Sequence, residues 1–142
     1  MILLDLGTFG AIIKFALEIE GSVGEFYSIA GEQAKDGTLV ALLGDLVTRG
    51  QKRLKTLERV RRENVTEMIL EPIEGLESDS FAIETVVSQD TDEATIKTLA
   101  VNIETTLQKF YEAAATKIDF LPEAAYAFEL LAEKNEETIK RF

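Results

Sequence analysis

The stretch LEIEGSVGEFY, residues 17–27, places a glutamate inside an otherwise apolar helical pattern. Apolar residues around it recur at alternating three- and four-residue steps, and Glu20 falls on the same line. Tyr27 follows Glu20 after seven residues, which is only about 20° short of two helical turns. The stretch therefore predicts a long helix whose buried face carries both a carboxylate and a phenol.

The same arrangement returns in VNIETTLQKFY, residues 101–111, where Glu104 and Tyr111 have the same spacing. A carboxylate in a core is expensive unless it is paired, protonated or bound to metal. A pattern that occurs twice at a constant offset indicates an internal duplication of a helical hairpin. We expect a two-fold axis along the bundle to relate the two copies and to bring the two glutamates together at mid-height.

The hydrophobic period predicts four helices and one domain that comprises residues 1–142. Short turns join these helices into two antiparallel hairpins, and a long crossover joins the hairpins. The expected fold class is all-α, a four-helix bundle of the ferritin-like variety, because that variety has one long crossover. The predicted helices are residues 8–34, 37–64, 91–118 and 122–141, and the crossover is residues 65–90.

The crossover contains too many apolar residues for a free linker, so we expect it to pack along the bundle with a short helix near residues 79–88. Asp90 or Thr91 is expected to cap the third helix. Pro122 is expected in the first turn of the fourth. The apolar residues of the crossover are Met68, Ile69, Leu70, Phe81, Ile83, Val86 and Val87.

Composition argues against several functions. The chain has 142 residues, a net charge of −11, no cysteine and no histidine. The negative charge disfavours nucleic acid and anionic membranes, and the basic stretch Lys52–Glu63 is interpreted as a solvated helix end. No uncharged stretch approaches the ~20 residues of a membrane-spanning helix, and the apolar start lacks the pattern of an export signal. We expect a cytoplasmic protein.

Four stretches resemble the four helices of the rubrerythrin-like branch of the ferritin-like superfamily. They are ALEIEGSVGEFYSIA, LLGDLVTRGQKRLKTLERV, NIETTLQKFYEAA and FELLAEKNEETIKRF, in chain order. The resemblance implies that Glu20 and Glu104 occupy the positions of glutamates that bridge two iron ions. It also implies that Tyr27 and Tyr111 lie just outside the metal ligands.

The chain departs from that family where its second and fourth helices carry Glu-x-x-His, a spacing that aims both side chains at the metals. Asn135 and Thr138 stand at these positions in the fourth helix. In the second helix two registers are open, which give either Gly50 and Arg53 or Val47 and Gly50. Neither register supplies a glutamate or a histidine, so all these positions are interpreted as vestiges of a metal site.

Three functions are open, and the first two belong to different classes. The favoured one is a non-catalytic bundle without cofactor, with a structural or interaction role and an unidentified protein partner. The alternative is a rubrerythrin-type oxidoreductase with an altered carboxylate site, in which Glu20 and Glu104 bind iron or manganese. A carrier of a small apolar ligand ranks third. The resemblance also implies a homodimer, with Phe15, Phe26 and Phe110 either on a dimer face or inside the hairpins.

Arg53 offers a reason for the two core glutamates. If its register points inward, its guanidinium can engage both Glu20 and Glu104. The tyrosine hydroxyls, Asn135 and Thr138 would then take the remaining acceptors. One arginine leaves a surplus carboxylate, so we expect either one raised glutamate pKa or one carboxylate turned to solvent. In the other register Arg53 points to solvent.

Overall fold

The computed structural model describes residues 5–67 and 72–142, and this part of the chain forms a four-helix bundle without strands. The predicted all-α class is confirmed, and the helix ends lie within two residues of the predicted ones. None of the described helices is long and apolar enough to cross a membrane. The helices are α1 (Phe9–Gln33), α2 (Gly37–Glu63), α3 (Glu93–Lys117) and α4 (Pro122–Ile139).

Side-chain caps fix where three of these helices begin. Thr8 accepts the backbone N–H of Ala11 before α1, and Asp36 caps α2 in the same way. Asp92 caps α3, with its Oδ1 2.7 Å from the backbone nitrogen of Thr95. The prediction of Asp90 or Thr91 is therefore wrong by one or two residues, because the carboxylate must lie three residues before the N–H that it accepts. Pro122 opens α4, as predicted.

Contacts at the helix ends show in which direction each helix runs. Glu93, the first residue of α3, accepts the backbone N–H groups of Lys35 and Asp36 at 2.7 and 2.8 Å, and these bonds lower its pKa. Thus α3 starts where α1 ends. On the other side, Asp45 near the start of α2 binds Arg141 beyond the end of α4 at 2.6 Å. The neighbours α1 and α3 are antiparallel, and so are α2 and α4.

The connection between the hairpins begins at the opposite end of the bundle. Leu6 donates its N–H to the carbonyl of Leu76 at 3.0 Å, and Ile73 donates to the carbonyl of Gly7 at 2.9 Å. These bonds hold the connection beside the start of α1, whereas α3 starts at the end of α1. The connection therefore runs the length of the bundle.

The expected short helix near 79–88 is wrong. The structure has a 3₁₀ turn at Ser78–Phe81 and irregular chain from residue 82 to residue 88. Phe81 is buried and Ile83 and Val87 pack against the core, as expected, but Val86 is 75% exposed, because exposure alternates along residues 82–88 and Val86 faces outward. The expected packing of Met68, Ile69 and Leu70 lies outside the described residues.

The core confirms the predicted inner faces. Phe110 packs edge-on against Phe15 and Phe81 at 5.1 and 5.3 Å between ring centroids. Phe26 is 1% exposed. Phe15, Phe26 and Phe110 therefore pack inside the bundle and do not form a dimer face. The buried inner line of α1 is Phe9, Ile13, Ala16, Glu20, Val23, Tyr27 and Ala30; that of α3 is Ala100, Glu104, Leu107, Tyr111 and Ala114.

Candidate functional site

Two glutamates lie in the middle of the bundle. Glu20 on α1 is 2% exposed and Glu104 on α3 is 5% exposed. Each sits on the apolar line of its helix, so helix formation alone turns the carboxylate inward. So little of either side chain is exposed that most partners of the carboxylates come from the protein.

The two tyrosines supply hydroxyl donors in a crossed arrangement. Tyr27 on α1 donates to Oε2 of Glu104 at 2.9 Å, and Tyr111 on α3 donates to Oε2 of Glu20 at 2.5 Å. If α1 and α3 were parallel, Glu20 would lie level with Glu104. Each tyrosine would then lie about two turns, ~10 Å, along the bundle from the glutamate of the other helix. The expected axis along the bundle is therefore wrong. The crossed pairs need an approximate two-fold axis perpendicular to the bundle.

Arg53 on α2 resolves the register that the sequence left open. Its Nε donates to Oε2 of Glu20 at 2.7 Å, and the Arg53 side chain is 13% exposed. The guanidinium carbon lies 5.3 Å from the centroid of the Tyr111 ring, within the range of a cation–π contact. The inward register of Arg53 is confirmed, and Gly50 stands one turn before it on the same face.

Asn135 on α4 connects the two carboxylates, which Arg53 was expected to do alone. Arg53 donates to Oδ1 of Asn135 at 3.3 Å, and Asn135 donates through Nδ2 to Oε1 of Glu104 at 3.1 Å. Arg53 therefore binds one carboxylate directly and reaches the other through an amide. All four helices contribute to this polar network, which consists of Glu20, Tyr27, Arg53, Glu104, Tyr111 and Asn135.

Thr138 does not join the polar network, although the sequence placed it there. Its hydroxyl donates to the carbonyl of Lys134 at 2.9 Å, one turn back in its own helix. The hydroxyl of a helical threonine can reach the carbonyl four residues earlier in the same helix, so it needs no partner from another helix. Thr138 is 4% exposed and contributes to the wall of a groove described below.

Burial sets the proton affinities of the network. It raises the pKa of Glu104, and the nearby charge of Glu20 adds to that shift, while Arg53, Asn135 and Tyr27 oppose it. This agrees with the expected surplus carboxylate. Burial also raises the pKa of both tyrosines, which therefore remain donors. Burial disfavours the charge of Arg53, but Glu20, Tyr111 and Glu104 together outweigh it and raise the pKa of the guanidinium.

The donor set does not fit the di-iron centre that the family resemblance implies. Such a site needs carboxylates and histidines that converge on the metals, whereas a guanidinium, an amide and two phenols converge on these two carboxylates. Within residues 5–67 and 72–142, no three acidic, histidine or cysteine side chains gather as a metal site requires. A metal ion at Glu20 would also meet the charge of Arg53 at close range.

A groove with a volume of about 1040 Å³ opens above the polar network, between α2 and α4. Gly24 on α1 and Gly50 on α2 line it, and a Cβ added to either glycine would meet nothing within 4 Å. Sequence reasoning missed this groove. The sequence feature that indicates the groove is Gly50, which stands at an inward position of α2 where the helical pattern calls for a large side chain.

The basic stretch near the end of α2 behaves as a solvated helix end. Arg61 pairs with Glu58 at 2.9 Å and Arg59 with Glu63 at 3.8 Å, all at least one-third exposed. Exposed pairs of this kind contribute little to stability.

Comparisons with known protein families, with curated proteins and with solved structures find no match to this chain. The rubrerythrin-like resemblance therefore stays a prediction that rests on the quoted helices. The chemistry of the site has to be argued from its own residues.

Proposed function

We propose that the protein is a non-catalytic helical bundle of the ferritin-like type, in which an internal ion pair takes the place of a di-iron centre. The observation that carries this proposal is the 2.7 Å contact between Nε of Arg53 and Oε2 of Glu20. A guanidinium holds its proton under all ordinary conditions and cannot ligate a metal. It therefore supplies permanently the positive charge that a metal ion would supply in a carboxylate site.

The ferritin-like topology is supported by the directions of the helices. A connection that runs the length of the bundle returns the chain to the end where α1 stops, so α3 is antiparallel to α1. That course is the one expected for a bundle with a single long crossover. The crossed Glu–Tyr pairs support an origin by duplication, since each hairpin contributes one acceptor and one donor.

The role that fits this architecture is structural or interactive, with a protein partner still to be identified. Homodimerisation and a cytoplasmic location belong to the same proposal. Sedimentation at micromolar concentration tests the first, because a monomer throughout the concentration range contradicts pairing. Fractionation of the cells that make the protein tests the second.

Metal analysis tests the central claim. Protein purified from growth medium supplemented with iron and manganese is expected to contain substoichiometric metal. Anaerobic titration of iron(II) or manganese(II) into the metal-free protein is expected to give no saturable heat. The same titration on two matched variants, Arg53→Ala and Lys55→Ala, distinguishes the effect of the buried cation from that of an exposed cation on the same helix. Stoichiometric iron or manganese in the parent would contradict the proposal and support the oxidoreductase alternative.

A further inference from the structure

The groove between α2 and α4 is long. Its α2 wall extends from Asp45 to Asn64, the residue that follows the helix, which is about 28 Å at ~1.5 Å per residue. The groove is therefore long enough to hold an extended chain that lies along the two helices.

In the half of the groove from Arg53 towards Pro122, the α4 wall is mainly apolar, whereas the α2 wall has Val60 among polar and charged residues. Leu130 and Tyr126 stand at its edge on α4 and are 40% and 60% exposed. Exposed large apolar side chains beside a concave apolar surface are typical of a ligand site. The apolar residues that line this half are Val60, Pro122, Ala124, Tyr126, Ala127, Leu130 and Leu131.

The middle of the groove is its most cationic part. Arg49, Lys52 and Arg53 line it from α2, and Lys134 lines it from α4. Arg49 and Lys134 have acidic partners, whereas Lys52 has no ion pair among the described residues. The groove as a whole has five basic and five acidic lining residues, in a chain of net charge −11. An anion that the rest of the surface repels is therefore tolerated here.

We propose that this groove binds an extended amphiphile, an unbranched acyl chain that ends in a carboxylate. The carboxylate lies at Lys52 and the outer edge of Arg53, and the chain lies between Val60 on α2 and Ala127 and Leu130 on α4. This inference goes beyond the proposed function and does not depend on the absence of a metal. A carboxylate at Lys52 leaves the pair of Arg53 with Glu20 intact.

A fluorescent polyene fatty acid is the probe. Added to delipidated protein, it is expected to give a saturable rise in fluorescence with one site per chain. A saturated sixteen-carbon fatty acid is expected to displace it, and the alcohol of the same chain length is expected to compete about tenfold less well, a difference of ~1.4 kcal/mol. An alcohol that competes as well as the acid would overturn the assignment of the head group.

Two matched pairs of variants locate the site. Gly50→Leu places a side chain beside Arg53 in the groove, whereas Gly44→Leu adds the same side chain to the exposed face of α2, where there is also room. Lys52→Glu reverses the head-group charge, and Lys55→Glu makes the same change outside the groove. We expect the two groove variants to lose about tenfold or more in probe affinity and the two controls to keep it.

Circular dichroism checks that each variant is folded, and Lys52→Glu keeps the test decisive if Gly50→Leu does not fold. Three results overturn the proposal: no saturable binding to the parent, equal binding by groove and control variants, or a dimer that Gly50→Leu converts to monomer while the parent ignores the probe. The last result would make the groove a subunit interface. Metal content and probe binding are measured separately, so this inference and the proposed function fail independently.

Discussion

The two halves of the polar network are built from the same parts but differ in charge. In the first half, Glu20 accepts from Tyr111 and from the guanidinium of Arg53. In the second, Glu104 accepts from Tyr27 and from the neutral amide of Asn135. A duplicated pair of carboxylates has thus received one charged and one neutral partner. A buried carboxylate can therefore persist either through an ion pair or through hydrogen bonds and a raised pKa.

Removal of the cation tests the charged half most severely. Arg53→Met leaves Glu20 buried with only a phenol to hold it, and we expect the free energy of unfolding to fall by about 3–5 kcal/mol. Lys55→Met, on the exposed side of the same helix, is expected to change it by less than ~0.5 kcal/mol. Urea denaturation at pH 7 measures both. An Arg53→Met variant as stable as the parent would show that the ion pair does not contribute to the stability of the fold.

The same substitution at the two glutamates compares the halves directly. Glu20→Gln removes the charge opposite Arg53 and leaves a buried guanidinium without its counter-ion, at a cost of about 3 kcal/mol. Glu104→Gln keeps an oxygen for Asn135 and removes no ion pair, so its cost is expected to stay near ~1 kcal/mol. Thermal and urea unfolding of both variants at pH 7 check this order. Equal costs would mean that Arg53 serves both carboxylates alike.

The tyrosine hydroxyls give a smaller contrast. Tyr111→Phe removes a donor 2.5 Å from the carboxylate that pairs with Arg53, and it should cost about 2 kcal/mol, as for a hydrogen bond to a charged group. Tyr27→Phe removes a 2.9 Å bond to Glu104, whose raised pKa favours the neutral acid, and should cost about 1 kcal/mol. Both variants keep the ring and its packing, so unfolding measurements report the hydroxyls. The reverse order would contradict the assigned charges.

The pH dependence of Glu104→Gln is the finest test. Because folding raises the pKa of Glu104, the folded state binds more protons than the unfolded state between the two pKa values. The parent therefore loses stability as the pH rises from the unfolded pKa through the folded one, and the glutamine variant lacks this loss. We expect the variant to gain relative to the parent on going from acid to neutral pH. A pH-independent difference would show that the pKa of Glu104 is not raised.

Much of the fold and part of the polar network could be predicted from the sequence. The three- and four-residue spacing put Glu20 and Glu104 on buried faces, because a helical side chain follows its neighbours on the same line. The two registers of α2 differed by one turn and both placed Gly50 inward, so periodicity could not choose between them. Thr138 was assigned to the polar network because its line faces inward, but a hydroxyl also finds a partner in its own helix.

The four helices, their ends to within two residues, the buried lines and the presence of carboxylates in the core follow from the amino-acid sequence alone. These depend on local periodicity and capping, which act within a few residues along the chain. Three features depend on how the helices pack: Tyr27 contacts Glu104, Asn135 links Arg53 to the second carboxylate, and α2 and α4 leave a groove between them. A hydrogen bond requires its two atoms within about 3 Å, and residues on different helices reach that distance only when the directions and depths of those helices are fixed.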